Sequence, residues 1–308
     1  MIDTGMGVWG LPLALVGGAL RVSAPYLFVS LGECLTEKSG RINLGQEGTL
    51  IVGAMTGYGA SYVAGSAWVG VVAASAVGLL LGALHAWLCS LPRVNDIAVG
   101  IALMLFGVGL AFFLGKPLIQ PTAPRLPAIA LGSWSPHAAV RAALQVNVLL
   151  LFGVVLAFAM RFFFDKTRWG LAVRIVGEDA DAARAIGYDV VRVRRLATAV
   201  GGALAGVGGS FLSLYYPGSW NEGLSSGQGL MAVALVIFAR WDPVRCLWAS
   251  LLFGSAGAIG PALQSIGMSS GYNLIATAPY LLTLGIMFVT SSARRTLAGQ
   301  PAELTAAR

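Results

Sequence analysis

Residues 48–92 contain no Asp, Glu, Lys or Arg. A helix needs roughly 20 apolar residues to cross the ~30 Å hydrocarbon core of a bilayer, so this run has room for two, near 48–65 and 67–90. The same test finds 8–31, interrupted by Arg21 and Pro25, then 97–115, 142–160, 196–216 and 223–239. Two more fit within 246–293, broken near Gly260-Pro261 and the polar run from Gln264 to Asn273. The sum predicts an all-α, polytopic membrane helix bundle of about nine spans (8–10), forming a single transmembrane domain over residues 1–308. Composition agrees: 57% of residues are hydrophobic and 11% charged, mean hydropathy is +0.78, and the 41 glycines suit close helix packing in lipid. The first residues lack the basic flank of a secretory signal and read as an uncleaved first span.

Against this background one stretch stands out. Residues 161–195 carry Arg161, Lys166, Arg168, Arg174, Arg184, Arg192, Arg194 and Arg195, with five acids among them. Ions are too costly in hydrocarbon for such a stretch to cross it, so it must be an aqueous loop. With the C-terminus in the cytoplasm, this loop joins Lys38, Arg41, Arg93, Arg240, Arg245, Arg294, Arg295 and Arg308 on the inner side. Only Lys116, Arg125 and Arg141 then lie outside, with Arg21 within a span, as the bias of basic residues toward the cytoplasm requires. The connection 116–141, with five prolines, reads as an extended extracytoplasmic loop.

Several functions are excluded on residue grounds. No Gly-x4-Gly-Lys-Ser/Thr loop is present, and the cluster Gly201, Gly202, Gly206, Gly208, Gly209 lies in an uncharged run. Gly202 and Gly206 share a helix face, which predicts a close helix crossing. No nucleophile elbow or His-Glu-x-x-His helix occurs, so the chain reads as a non-enzyme without catalytic residues. His85 and His137 lack neighbours at ligand spacing, which predicts no metal site, and Cys34, Cys89 and Cys246 show no pairing pattern. Net charge of +7 is explained by the inner loops and implies no nucleic-acid partner.

Within the island, Gly177 is expected to break the preceding segment, and Glu178 and Asp179 to cap a short helix. That helix runs from Ala180 to Ile186, has Arg184 in its last turn, and is closed by Gly187. Seven residues are too few to persist alone in water, so it must dock. Ala182, Ala183 and Ile186 offer an apolar patch, either for a groove in a partner or for the chain's own surface. Upstream, Gly40, Gly45 and Gly48 suggest a broken or re-entrant element near 33–48. Asn43 and Glu47 there would face the transport pathway, or Glu47 would cap the next helix. Tyr215, Tyr216 and Trp220, beside Asn221 and Glu222, fit an interfacial belt or an outer gate. Gln228 and Asn273 are pathway candidates or interhelical hydrogen-bonding groups.

Three segments carry a resemblance. Residues 177–209, GEDADAARAIGYDVVRVRRLATAVGGALAGVGG, are similar to the cytoplasmic loop and following helix of bacterial ABC-importer permeases for branched-chain amino acids, ribose-type sugars and nucleosides. Residues 39–54, SGRINLGQEGTLIVGA, resemble that superfamily's Ser-Gly-x-x-Asn-x-Gly-x-Glu-Gly signature. Residues 211–243 resemble the nucleoside and simple-sugar permeases that work with basic-membrane-protein-type receptors. The likeness spans about residues 20–290. Ala180 stands where many relatives have Pro, and Arg41 and Gln46 where relatives are usually apolar.

The resemblance implies a permease subunit in the bacterial cytoplasmic (inner) membrane, moving a nucleoside or simple sugar by alternating access. Riboflavin and branched-chain amino acids stand behind these as substrates. The short helix would be the coupling element that sits in a separate ABC ATPase. That partner would hold ATP and Mg, with no cofactor on this chain. A second homologous permease would complete a heterodimer, and an extracytoplasmic solute-binding protein would dock near 116–141 and 217–223. The alternative is an ion-coupled secondary transporter or channel, which predicts acids inside the spans.

Overall fold

The computed structural model describes residues 10–265, 277–290 and 299–306. Nearly all regular structure among them is helical. In order come α1 (Gly10–Lys38), α2 (Gln46–Ala64), α3 (Ala67–Leu88) and α4 (Asp96–Gly115). Strand β1 (Ala128–Ala130), α5 (Ala138–Ala143) and β2 (Gln145–Asn147) then precede α6 (Val148–Lys166). Helices α7 (Arg168–Glu178), α8 (Ala180–Ala185), α9 (Val190–Leu214), α10 (Gln228–Phe238) and α11 (Pro243–Ser265) follow. Last are α12 (Ala278–Thr290) and α13 (Glu303–Ala306). Six of the described helices (α1, α3, α4, α6, α9 and α11) are long and apolar enough to cross a membrane.

Several expected boundaries move. Pro25 lies inside α1 and Pro261 inside α11, so neither ends its helix, and α11 is unbroken at Gly260. The span expected at 142–160 is α6, shifted to Val148–Lys166 because residues 138–147 form α5 and β2. The charged end of α6 therefore continues the helix instead of opening a loop. The span expected at 223–239 shrinks to the eleven residues of α10, about 16 Å long and too short to cross alone. Gly177 does not break its segment. It sits inside α7, where a Cβ would collide with the carbonyl of Lys38 at the end of α1. Asn273 and the polar run after Ser265 lie outside the described residues, apart from Thr277 onward.

Helix α9 is the axis of the bundle. Its glycines remove side chains on three faces, letting three helices approach at backbone distance. Gly201 meets Gly32 of α1, Gly202 meets Gly78 and Gly82 of α3, and Gly206 meets Ala74 of α3 and Gly53 of α2. Gly209 faces Leu50 of α2. The close crossing expected from Gly202 and Gly206 is thus present, on α3 and α2.

Charge sorts to the two ends. Lys38, Arg161, Asp165, Arg240, Asp242 and Arg245 line one cavity at one end. At the other end, the 116–141 connection is pinned by its backbone. Tyr58 Oη donates to Pro121 O at 2.8 Å, Ser61 Oγ to Pro124 O at 2.9 Å, and Leu126 N to Leu214 O at 2.9 Å. Strands β1 and β2 pair antiparallel there, Ala128 opposite Asn147. Arg21 reaches the same end, donating to Ala142 O at 2.7 Å in the last turn of α5.

A Cβ on Gly202 has no room, whereas at Gly109 nothing lies within 4 Å. Gly202→Val should therefore cost about 1–3 kcal/mol by overpacking. It should lower the melting temperature in detergent, while Gly109→Val leaves it nearly unchanged.

Candidate functional site

Two sites emerge: a short helix pair at the charged end and a polar knot inside the bundle. In the first, α8 is capped as its sequence demands. Asp179 Oδ1 accepts from Asp181 N and Ala182 N, both at 2.9 Å, and Gly187 takes φ +93° just past the helix. Glu178, the other expected cap, is instead the last residue of α7. Arg184 pairs with Asp181 at 2.5 Å on the exposed side.

The expected apolar patch is split by helix geometry. Ala182 and Ile186, four apart, share the outer face, and Ile186 is 63% exposed. Ala183 is fully buried and, with Ala180, seats α8 on its own protein. Ala183 is thus removed from the exposed patch.

What the sequence did not reveal is how this helix is held. Glu303 of α13 accepts from Ala180 N at 2.9 Å through Oε1 and from Arg194 Nη2 at 2.9 Å through Oε2. Arg194 also donates from Nε to Ser39 O at 3.0 Å and from Nη2 to Val176 O at 3.4 Å. One guanidinium thereby joins the ends of α1 and α7, the start of α9, and the segment carrying α13. Ala180 can join only because it has the N–H that proline lacks.

The polar knot begins where α1 ends. Residues 39–45 double back along α1, so that Asn43 N and Gln46 Nε2 reach the Glu33 carboxylate at 2.7 and 2.8 Å. The irregular backbone expected near 33–48 is therefore confined to 39–45, where Ser39, Gly40, Asn43 and Gly45 are buried and Ile42 and Leu44 line a cavity, with α1 helical through Lys38. His85 Nε2 lies 3.1 Å from Ile42 O, and Arg41 pairs with Asp96 at 2.5 Å. The departures at Arg41 and Gln46 each have a charged partner. Glu37 accepts from the indole N–H of Trp241. Glu33 and Glu37 are buried side chains of α1.

Glu47 does cap a helix, but not its own. Its Oε1 accepts from Ser225 Oγ at 2.6 Å and Gly227 N at 3.1 Å, and its Oε2 from Gly229 N at 2.6 Å. The two backbone N–H groups lie at the N-terminus of α10, where a carboxylate is favoured by charge and by hydrogen bonding. Tyr280 Oη of α12 donates to Ser226 O at 3.0 Å, closing the same loop from outside. Glu47 thus sits beside the segment that carries Gln228, while Asn43 sits with Glu33 and Gly45. Asn43 Nδ2, Gln46 Oε1 and Gln228 Oε1 are each buried without a protein partner among the described residues.

The other pathway candidates lie elsewhere. Trp220 is buried, donates from Nε1 to Gly115 O at 2.8 Å, and packs its ring on Gly115. It is an anchor for the loop after α9, neither an interfacial ring nor an exposed gate. Asn221 is exposed and accepts from Gly223 N at 3.2 Å, a local turn. Tyr216 is half-buried and packs just past the C-terminus of α9. Ser225, Tyr280, Arg194 and Glu303 carried no pattern that would have singled them out.

The arrangement is that of a multi-pass helical membrane protein with a presented helix at one end. Residues 15–291 match the model of the family described as branched-chain amino acid transport system / permease component, and the chain belongs to that family. The ABC transporter permease protein TsgC13 of Haloferax volcanii is 31% identical, over 89% of this chain and 90% of its own. The guanosine ABC transporter permease protein NupQ of Bacillus subtilis is 29% identical, over 88% and 89%. The nucleoside ABC transporter permease protein NupC of Lactococcus lactis is 27% identical, over 89% and 90%. Each organism supplies a second, more distant relative, at 26%, 22% and 22%; the one from Haloferax volcanii is named a glucose ABC transporter permease protein.

Glu47→Ala would leave three donors around α10 unpaired, each costing about 1–3 kcal/mol. Amide hydrogen exchange over residues 225–231 should speed up by an order of magnitude or more, with α3 unaffected.

Proposed function

We propose that this chain is the permease subunit of an ABC importer, with α8 as the helix through which a separate ATPase subunit drives alternating access. The observation that carries the reading is the presentation of α8. Six residues are capped at both ends, tied by Glu303 and Arg194 to three other elements, and turn Ala182, Arg184 and Ile186 outward. A helix this short needs such contacts to persist, and they leave its outer face free for a partner. Gly177 contributes by letting α7 close onto the end of α1, and Glu178, Asp179 and Gly187 by fixing the two turns around α8.

The charged end is then cytoplasmic, the C-terminus lies on that side, and the membrane is the bacterial inner membrane. About nine helices would lie in the bilayer, if α2, α10 and α12 are counted with the six long ones. The whole chain is one permease domain, with a cytoplasmic coupling loop at 161–195 and an extracytoplasmic loop at 116–141. ATP and Mg belong to the ATPase, and no cofactor is held by this chain. A second, similar permease would complete the pathway as a heterodimer, which the paired relatives in single organisms support. An extracytoplasmic receptor would dock over 116–141 and 217–223. The relatives named for guanosine, nucleosides and glucose support a small, hydroxyl-rich solute. Asn43 and Gln228, with buried polar atoms left unpaired, are the side chains here that such a solute would meet, with Glu47 holding their scaffold.

A second reading has one observation behind it. Glu33 and Glu37 are buried acids within α1, which ion-coupled carriers require. Both, however, already accept hydrogen bonds that hold the 39–45 segment and Trp241.

Ile186→Asp and Arg184→Glu alter the outer face without touching the buried one. Each should weaken association with the ATPase by about tenfold, as expected for a central interface side chain. The readout is copurification and ATP-driven uptake in vesicles. Unchanged copurification in both variants, or uptake that persists without the ATPase and collapses with a protonophore, would refute the coupling role.

A further inference from the structure

Two cavities lie side by side next to the coupling element and share part of their walls. The first, about 430 Å³, is a groove between α6, α7 and α9, walled by Leu156, Phe163, Trp169, Val193, Leu196 and Leu204. The second, also about 430 Å³, opens at its charged end and adds Arg168, Tyr188, Asp189 and Arg192. Trp169 and Val193 line both. The walls stay open: Trp169 is 64% exposed and Leu196 is 52% exposed.

We propose that this is a binding site for an anionic phospholipid of the cytoplasmic leaflet, one acyl chain in the groove and the phosphate between Arg168 and Arg192. Length argues for it. Val193 to Leu204 spans about 16 Å of helix, one half of the ~30 Å hydrocarbon core. Charge argues for it as well. Among the described residues Arg168 has no ion pair. Arg192 sits 3.7 Å from Asp189, whose other oxygen is taken by the Arg192 backbone N–H at the start of α9. Basic pockets between helices on this side of a membrane suit lipid phosphates, and an indole at the rim suits the headgroup boundary. A second protein helix fits less well, because helix contacts in lipid rely on small residues. This groove is walled chiefly by Leu, Met, Phe, Val and Trp, with Ala159 and Ala197 its only small side chains. The occupant would brace α7 against α9 and so steady α8, which lies between them.

The test is native mass spectrometry of the full chain purified with the subunits that accompany it, titrated with palmitoyl-oleoyl phosphatidylglycerol or phosphatidylcholine. Each basic side chain near an anionic headgroup contributes about a fivefold preference. The Arg168→Gln/Arg192→Gln pair should therefore lower the preference for phosphatidylglycerol roughly twenty- to thirtyfold, and Arg93→Gln should not. Ala159→Trp, filling the groove, should reduce retention of both lipids. Undiminished phosphatidylglycerol preference in the double variant overturns the proposal. So does cross-linking of Ala159→Cys to a second permease across the groove. Both results leave the coupling role of α8 untouched.

Discussion

The bundle depends on the bare backbone of α9. Dispersion between helices is strongest when their axes close to backbone contact, and in lipid there is little hydrophobic drive to substitute for it. Between them Gly201, Gly202, Gly206 and Gly209 let three neighbours in, so α1, α2 and α3 all register against one rod. Because that rod begins at Val190 and ends at Leu214, it links the end that carries α8 to the 116–141 connection.

Polar contacts then fix what glycine contacts leave free. At one end Arg194 bonds two backbone carbonyls and Glu303, which in turn caps α8. In the interior Glu47 gathers the N-terminus of α10. Both devices use a charged group to satisfy several backbone groups at once, which a low-dielectric surrounding makes strong. Both also join segments far apart in sequence, so a displacement of α8 is felt by α1, α7 and α9 together. A short α10, stopping midway and held by one carboxylate, is the element best suited to move relative to α2.

Local chemistry was legible where it is local. Asp179, Arg184 and Gly187 placed α8 within a residue, because caps and left-handed stops act within one turn. Lys38, Arg161, Arg240 and Arg245 come together around one cavity, and Gly202 with Gly206 foretold the crossing. Span boundaries were less legible wherever a helix end is set by packing. Pro25 and Pro261 stay inside helices, Gly177 stays inside α7, and 223–227 stay out of α10. Trp220 read as an interfacial ring because its partner, the Gly115 carbonyl, is a hundred residues away in the chain.

The sequence alone determined that the chain is a multi-pass helical bundle, which end bears the charge, and that a short capped helix sits there, since hydrocarbon thickness, charge cost and capping are properties of single segments. Only the tertiary structure decided that Ala183 faces inward, that Glu47 caps α10 instead of its own helix, and that Glu303 holds α8 in place. Those are pairings between distant segments, and nothing in the spacing of residues along a chain sets which helix N-terminus a carboxylate will meet.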